Sequence, residues 1–206
     1  DLGKKGSISA GLKTTFSSFT NVVEVDRLSP PATWVSIPEL TATYFLNENI
    51  SAAYANFEWS FSEKTKMKSG LRYEYTNSNL KTATEKNLVD KHYGKFFPSL
   101  FLSHNMAADK FLALAYSRRI TRPTFWNLAP FVIFMDPNTF FSGNPALQPA
   151  ITDNVNFSLS LRSKVISLSY SFESAPITNF SPHVDPATNK QTLAAENQKD
   201  ATTLNL

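Results

Sequence analysis

An all-β chain of antiparallel, up-and-down strands is what the sequence predicts, and three features predict it. Side chains alternate in polarity with a period of two, short and long connections alternate along the chain, and all but one of the 12 prolines fall in the long connections.

The alternation runs through "SISAGLKTTF" (7–16), "ISAAYANFEWSF" (50–61), "KMKSGLRYEYT" (66–76), "GKFFPSLFLSHN" (94–105) and "FLALAYSRR" (111–119). In residues 66–76, Met67, Leu71, Tyr73 and Tyr75 share a face with Ser69, while Lys68, Gly70, Arg72, Glu74 and Thr76 take the other. Residues 154–172 read as a hairpin: Val155, Phe157, Leu159 and Leu161, a turn, then Ile166, Leu168, Tyr170 and Phe172, each separated from the next by a polar residue. With the closing "ATTLNL", about eight strands are expected. Tight turns are predicted at "SEKT" (62–65), "MAAD" (106–109) and "RSK" (162–164), and long connections at about 19–47, 77–92, 122–152 and 174–199. In an antiparallel series this puts every short turn at one end and every long loop at the other, as in outer-membrane barrels with short periplasmic turns and long extracellular loops. Pro98, inside a proposed strand, predicts a bulge or a strand end.

Composition narrows the function classes. With 42% hydrophobic and 18% charged residues the chain is expected to be ordered, as one domain or two at most, and the strand series makes it a single β-barrel segment over 1–206. The 20 Lys+Arg and 17 Asp+Glu are spread without a basic block, so no nucleic-acid partner is predicted. The absence of cysteine excludes disulfides, thiolate metal sites and a Cys nucleophile. No apolar run approaches the ~18 residues of a membrane helix, which leaves a membrane barrel open. The chain starts at Asp1 without a leader pattern and stops in what reads as mid-strand, so a fragment is expected.

A soluble barrel would turn its apolar face inward and show water a Lys- and Glu-rich surface. Here the polar faces are mostly Ser, Thr, Asn, Gly and Ala with scattered Glu58, Arg72, Glu74 and Arg119, which suits a lumen. The opposite faces carry Trp59, Phe61, Tyr73, Tyr75, Tyr116, Tyr170 and Phe172 towards strand ends, where aromatic girdles meet the membrane interfaces. Arg118 shares a face with Leu112, Leu114 and Tyr116; it either reaches lipid phosphates or is turned inward by a bulge. On the residues alone these charges read as ion pairs along the wall.

No catalytic constellation is present, so an enzyme is not predicted, nor any cofactor or metal. His92, His104 and His183 are isolated, no Gly-x-Ser-x-Gly elbow occurs, and "DPNTFFSGN" (136–144) lacks the spaced acids of an EF-hand loop. The connection "RPTFWNLAPFVIFMDPNTFFSGNPALQP" (122–149) is instead the candidate site, since it is too apolar for a solvated loop. Trp126, Phe131, Phe134, Asp136, Phe140, Phe141 and Asn144 are its candidate residues; read on their own, they form the loop's small core.

"ENISAAYANFEWSF", "SGLRYEYTN", "FFPSLFLSHN", "LALAYSRRITRPTFWNLAPF" and "SGNPALQPAITDNVNFSLS" resemble the C-terminal barrel of TonB-dependent receptors, in the outer-membrane β-barrel family common in Bacteroidetes. The resemblance runs from about Glu48 to about Phe172, and its most specific part is Tyr-Ser-Arg-Arg-x-x-Arg-Pro, an aromatic loop, then Gly-Asn-Pro-x-Leu-x-Pro. It implies a barrel of about 22 strands whose lumen is closed by a plug, and with it substrate or plug contact for Trp126, Phe131, Phe134, Asp136, Phe140, Phe141 and Asn144, and contact with the plug or a permeating substrate as the alternative to ion pairing for Glu58, Arg72, Glu74 and Arg119. It also implies an energy-coupling protein that pulls on the plug, outer-membrane lipid around the wall, and uptake of a nutrient such as a glycan, siderophore or peptide. A surface lipoprotein is a further partner it allows. Two other readings stay open on the residues alone: a complete eight-stranded barrel with a structural or adhesion role, and a soluble β binding module.

Overall fold

The structure, a computed structural model, describes residues 5–206. Its elements are β1 (Gly6–Val23), β2 (Asp26–Ser29), β3 (Thr33–Ser36), β4 (Ala42–Ser60), β5 (Thr65–Thr82), β6 (Val89–Ala107) and β7 (Lys110–Thr121). A helical turn α1 (Phe125–Leu128) follows, then β8 (Val132–Phe134), β9 (Thr139–Ser142), β10 (Ala150–Leu161), β11 (Lys164–Ser174), β12 (Ile177–Asp185), β13 (Lys190–Asn197) and β14 (Asp200–Asn205). The chain is all-β and mostly antiparallel, as predicted.

Two expectations need correction. Among the described residues the strands number 14 in place of about eight: eight form the main sheet, in the order β1-β4-β5-β6-β7-β10-β11-β14, and six more lie within the long connections. Those six are β2 and β3, which pair as a hairpin, and the sheet β12-β13-β9-β8. Segments of 3 or 4 residues such as β8 and β9 are too short to show a period; β9 is placed by its parallel pairing with the distant β13, and β8 pairs with β9. Nor does the main sheet close into a barrel: among the described residues it is open, with β1 and β14 as its edges.

The tight turns fall where predicted, and the turns after β6 and β10 are tied together by Arg162 and Asp109, 3.0 Å apart. The connection expected over 77–92 is mostly strand, because β5 and β6 run on to Thr82 and from Val89 in continuous register. Pro98 marks neither a bulge nor a strand end. It pairs with Leu71 in mid-strand, next to Ser99, where the ladder between β6 and β7 begins; beyond that point β6 pairs with β5 alone and one hydrogen-bonding edge is free of obligation.

The long strands invert their polarity along their length. Near the tight turns β4 to β6 direct Phe57, Trp59, Met67, Leu71, Tyr73, Phe96 and Leu100 to one face, with Glu58, Lys68, Arg72 and Glu74 on the other. Nearer the long loops the assignments exchange. Tyr44, Leu46, Leu80 and Val89 on the formerly polar face are buried, and Asn47, Asn49, Asn77 and Asn79 occupy the formerly apolar one. The register of β4 on β5 is unbroken from Tyr44 to Ser60, so no bulge causes the change; the surroundings of each face change along the strand.

The apolar face is unpartnered. Ile8, Leu12, Leu71, Phe96, Leu100, Ile166, Leu168 and Leu204 are all exposed on it, the opposite of a soluble barrel's core. The buried residues gather on the other face at the long-loop end, where Tyr44, Leu46, Leu80 and Val89 meet Phe125, Leu128, Ala129, Phe131, Leu147 and Ala195.

Candidate functional site

The 122–149 connection folds as a layer over the inner face of the long strands. After Pro123 the chain makes the single turn α1, and the Oδ1 of Asn127 accepts from both the backbone N–H (2.9 Å) and the hydroxyl (2.7 Å) of Thr124. Positions i and i+3 share a helix face, so Phe125 and Leu128 point together to the wall and are buried, with the Phe125 ring 5.0 Å from Phe19 and 6.1 Å from Tyr44. Trp126 is left outward.

"GNPALQP" then locks the layer. The amide of Gly143 donates to Ala129 (3.1 Å) and that of Asn144 to Asn127 (2.6 Å); a Cβ on Gly143 would fall on the backbone of Ala129, so only glycine fits. The side chain of Asn144 accepts from the Ala146 amide and donates to the Ala195 carbonyl, both at 3.0 Å. Leu147 is buried, its carbonyl accepts from Lys91, and Gln148 exchanges two hydrogen bonds with the side chain of Asn197.

Between this layer and the sheet of β8, β9, β12 and β13 lies a cavity of about 410 Å³. Its walls include Trp126, Phe131, Phe141, Phe180 and Leu193, with Asn127 donating to Asn179 (2.9 Å) at the polar part of its lining; no charged side chain lines it. Such a lining suits the faces of neutral rings with a few hydrogen-bonding groups at their edge.

The candidates from the sequence therefore divide. Trp126, Phe131 and Phe141 meet at the cavity. Phe134 and Phe140 form a separate ring pair 6.3 Å apart. Asp136 caps its own turn, accepting from the amides of Asn138 (2.7 Å) and Thr139 (2.8 Å), which holds its carboxyl below the usual carboxylate range. Asn144 is a fastener of the layer. Phe180, Asn179 and Leu193 escaped the sequence reading. Phe180 is aimed by a bulge between Thr178 and Ser181 and takes φ of 66°, a conformation that costs a phenylalanine about 1–3 kcal/mol and that periodicity does not reveal.

Two ion-paired groups stand on the inner face. Glu58 and Lys68, register partners on β4 and β5, are 2.9 Å apart and exposed. Deeper, Glu74 accepts from Arg72 (2.5 Å) and from Arg122 (2.6 Å), and Arg122 also reaches Thr76 (3.0 Å). Arg122, missed as a wall charge because it follows a strand end, has a buried Nε without a hydrogen-bond partner. Arg119 is exposed on the same face and makes no ion pair among the described residues. The histidines are dispersed: His92 beside Asp90, His104 on the hydroxyl of Thr65, His183 beside Glu196. Among the described residues no three His, Cys, Asp or Glu side chains gather as a metal site.

The sequence matches the model of the Outer membrane protein beta-barrel family over residues 1–206. The chain belongs to that family. Its place is the bacterial outer membrane. No curated protein matches the sequence. Solved receptor structures share the fold: the Serratia marcescens hemophore receptor HasR, in complex with its hemophore HasA and heme (TM-score 0.61, 12% identity, 96% of this chain and 39% of that one); a variant of the Pseudomonas aeruginosa ferric enterobactin receptor PfeA, in complex with enterobactin (0.56, 15%, 95% and 33%); and the siderophore receptor PirA from Acinetobacter baumannii (0.52, 11%, 95% and 34%). The chain spans between a third and two fifths of the length of these structures.

In a barrel of this family the exposed apolar face is the one that meets lipid. Arg118 then stands on the lipid side, without the inward bulge that was the alternative, since β7 and β10 pair in unbroken register. It is neutralised there by Asp153, with two hydrogen bonds of 2.9 Å, and the hydroxyl of Tyr116 donates to the same carboxylate at 2.7 Å.

Proposed function

We propose that residues 1–206 are one segment of the barrel wall and outer vestibule of a TonB-dependent receptor, of the kind found in Bacteroidetes, which takes up a nutrient (glycan, siderophore or peptide). The observation that carries this reading is the two-sided wall: one face is apolar over the length needed to cross hydrocarbon, and the other is polar and capped by a folded loop layer. The parent protein would supply the plug that fills the lumen and the contact with the energy-coupling protein; a surface lipoprotein would meet the long-loop end.

Within that reading, Trp126, Phe131, Phe141 and Phe180 contact the substrate at the mouth, and Glu58, Arg72, Glu74 and Arg119 face the plug or the permeating molecule. The core packing of Phe125, Leu128 and Leu147 supports a structural role for the rest of the loop.

Spin labels placed one at a time at Leu112, Ala113, Leu114 and Ala115 of the full-length receptor in vesicles test the wall. Labels at 112 and 114 are expected to be relaxed by oxygen in lipid, and those at 113 and 115 by a water-soluble nickel chelate. Equal exposure of all four to the chelate would sink the barrel reading. For the mouth, Trp126→Ala should weaken nutrient binding with the folded fraction unchanged.

A further inference from the structure

Phe180 is held at the cavity in a way that the fold by itself does not require. It stands in the bulge of β12 between Thr178 and Ser181, outside the paired register with β13, with φ of 66° and 62% of its surface exposed. Its one ring partner among the described residues is Phe141, at 5.0 Å. Strain kept without a compensating burial marks a site whose contacts are made with something else. Trp126, also exposed, lines the same cavity, with Phe131 buried in its wall.

The polar side chains of the lining are largely spent on one another. Those able to hydrogen-bond are Thr124, Asn127, Ser142 and Asn179. The side-chain oxygen of Asn127 accepts both from the amide and from the hydroxyl of Thr124, and its NH2 group donates to the side-chain oxygen of Asn179 (2.9 Å). The Ser142 hydroxyl donates to the Gly143 carbonyl (3.4 Å). Nearby backbone donors are taken too, Gly143 by Ala129 and Asn144 by Asn127. The NH2 group of Asn179 is the one side-chain donor group of the lining left wholly free among the described residues, and Asn179 is exposed beside the apolar rings.

Such a site fits an uncharged ring with one acceptor beside it. A sugar carries hydroxyls all round its ring, so a sugar sunk between these walls would lose water at several groups and regain few partners. An anionic iron chelate would call for Arg or Lys, and neither lines the cavity. An aromatic side chain enters with no polar group on its ring, leaves the peptide backbone at the open mouth, and brings a carbonyl oxygen within reach of a donor there. The volume of about 410 Å³ lies in the roughly 300–1,000 Å³ range of small-ligand sites. We propose that the cavity seats an aromatic side chain of a peptide nutrient against Trp126, Phe131 and Phe180, with Asn179 donating to the adjacent carbonyl oxygen. This occupant rests on the receptor reading above, in which the long-loop end faces outward.

The test uses the full-length receptor in mild detergent and saturation-transfer NMR with N-acetylphenylalaninamide, maltose and dihydroxybenzoate as probes. N-acetylphenylalaninamide is expected to bind through its ring protons, and the sugar and the catechol are not. Asn179→Asp keeps the acceptor that Asn127 uses and removes the free donor, so binding should weaken about tenfold. Phe180→Gly adopts the left-handed backbone without strain; the receptor should stay folded while binding falls at least about fivefold. Binding of maltose or dihydroxybenzoate in place of the phenylalanine probe would overturn the proposal. So would phenylalanine binding that ignores both substitutions, or no binding of any probe. Failure of the receptor reading shows separately, in spin labels at 112 to 115 that all meet the chelate whatever the cavity binds, and the proposed occupant falls with it.

Discussion

The two halves of the main sheet differ in length, and the difference separates what crosses the membrane from what is built on top of it. On one side β1, β4, β5 and β6 have 18 or 19 residues; on the other β7, β10 and β11 have 12, 12 and 11. The shorter strands match the length of a hydrocarbon crossing and little more. The excess of the longer ones, about eight residues or roughly 26 Å along the strand, forms a standing wall with lipid-like polarity reversed. Its inner face holds Tyr44, Leu46, Leu80 and Val89 against the loop layer, and its outer face is lined with asparagine.

The sharpest test sets one half against the other. Leu80, fully buried on the inner face of the long half, should lose about 2–5 kcal/mol on substitution by alanine, through lost burial and the cavity left. Leu168, on the lipid face of the short half, should lose much less, about 1 kcal/mol, because lipid fills the space and is as apolar as leucine. Reversible urea unfolding from vesicles measures both. Equal losses would mean that the short half also packs against protein.

Charge insertion probes the height of the membrane. Leu114→Arg, in the middle of the short half's apolar band, is expected to cost about 2–4 kcal/mol, and Asn49→Arg, above the band on the long half, about 0–1. A large cost at Asn49 would place the asparagine rows in hydrocarbon and remove the distinction between the halves.

This inversion also explains what was legible in the sequence. Residues 50–61 and 66–76 alternate in one phase, and their alternation gives the faces that β4 and β5 present. Beyond Ser51 towards the loop, the large apolar residues move to the opposite parity, so a search for one continuous apolar stripe ends there and the remaining strand looks like loop, as 77–92 does. The short half, with a single environment on each face, was legible almost to its ends: the hairpin of β10 and β11 pairs Val155 with Tyr170, Phe157 with Leu168 and Leu159 with Ile166, as its alternation implied. At the site, aromatic content marked the 122–149 loop, but which aromatics pack and which line the cavity depends on α1 and on Gly143, and the partner Phe180 comes from a segment with no recognisable period.

Gly143 tests whether the loop layer needs the long wall. In Gly143→Ala the new Cβ meets the backbone of Ala129, which cannot swing aside as a side chain would, so α1 must lift from Tyr44 and Phe19. About 1–3 kcal/mol of local stability should be lost, visible as faster hydrogen exchange across 125–148, with the exchange of β10 and β11 unchanged. Loss spreading to β10 and β11 would show that the layer supports both halves.

The smallest effect belongs to the upper rim of the short half, where the lipid face ends in Tyr116, Arg118 and Asp153 in place of an asparagine wall. Arg118 is 41% exposed at its side chain and Asp153 25%, so the pair is only partly removed from solvent. Asp153→Asn keeps the acceptor for Tyr116 and removes the counter-charge of Arg118; a partly wet pair is worth about 1 kcal/mol at most, which unfolding from vesicles resolves. Arg118 lies nine positions from the nearest turn residue, Asp109, close to the ~9–11 residues that a crossing requires. If the substitution costs about 3–5 kcal/mol, the loss typical when a buried pair is broken, then Arg118 is below the surface, the short half is fully immersed, and the long half rises from the membrane by less than its length implies. A loss near 1 kcal/mol instead sets the rim of the short half at the interface and leaves the asparagine wall as the part of the sheet that stands clear of hydrocarbon.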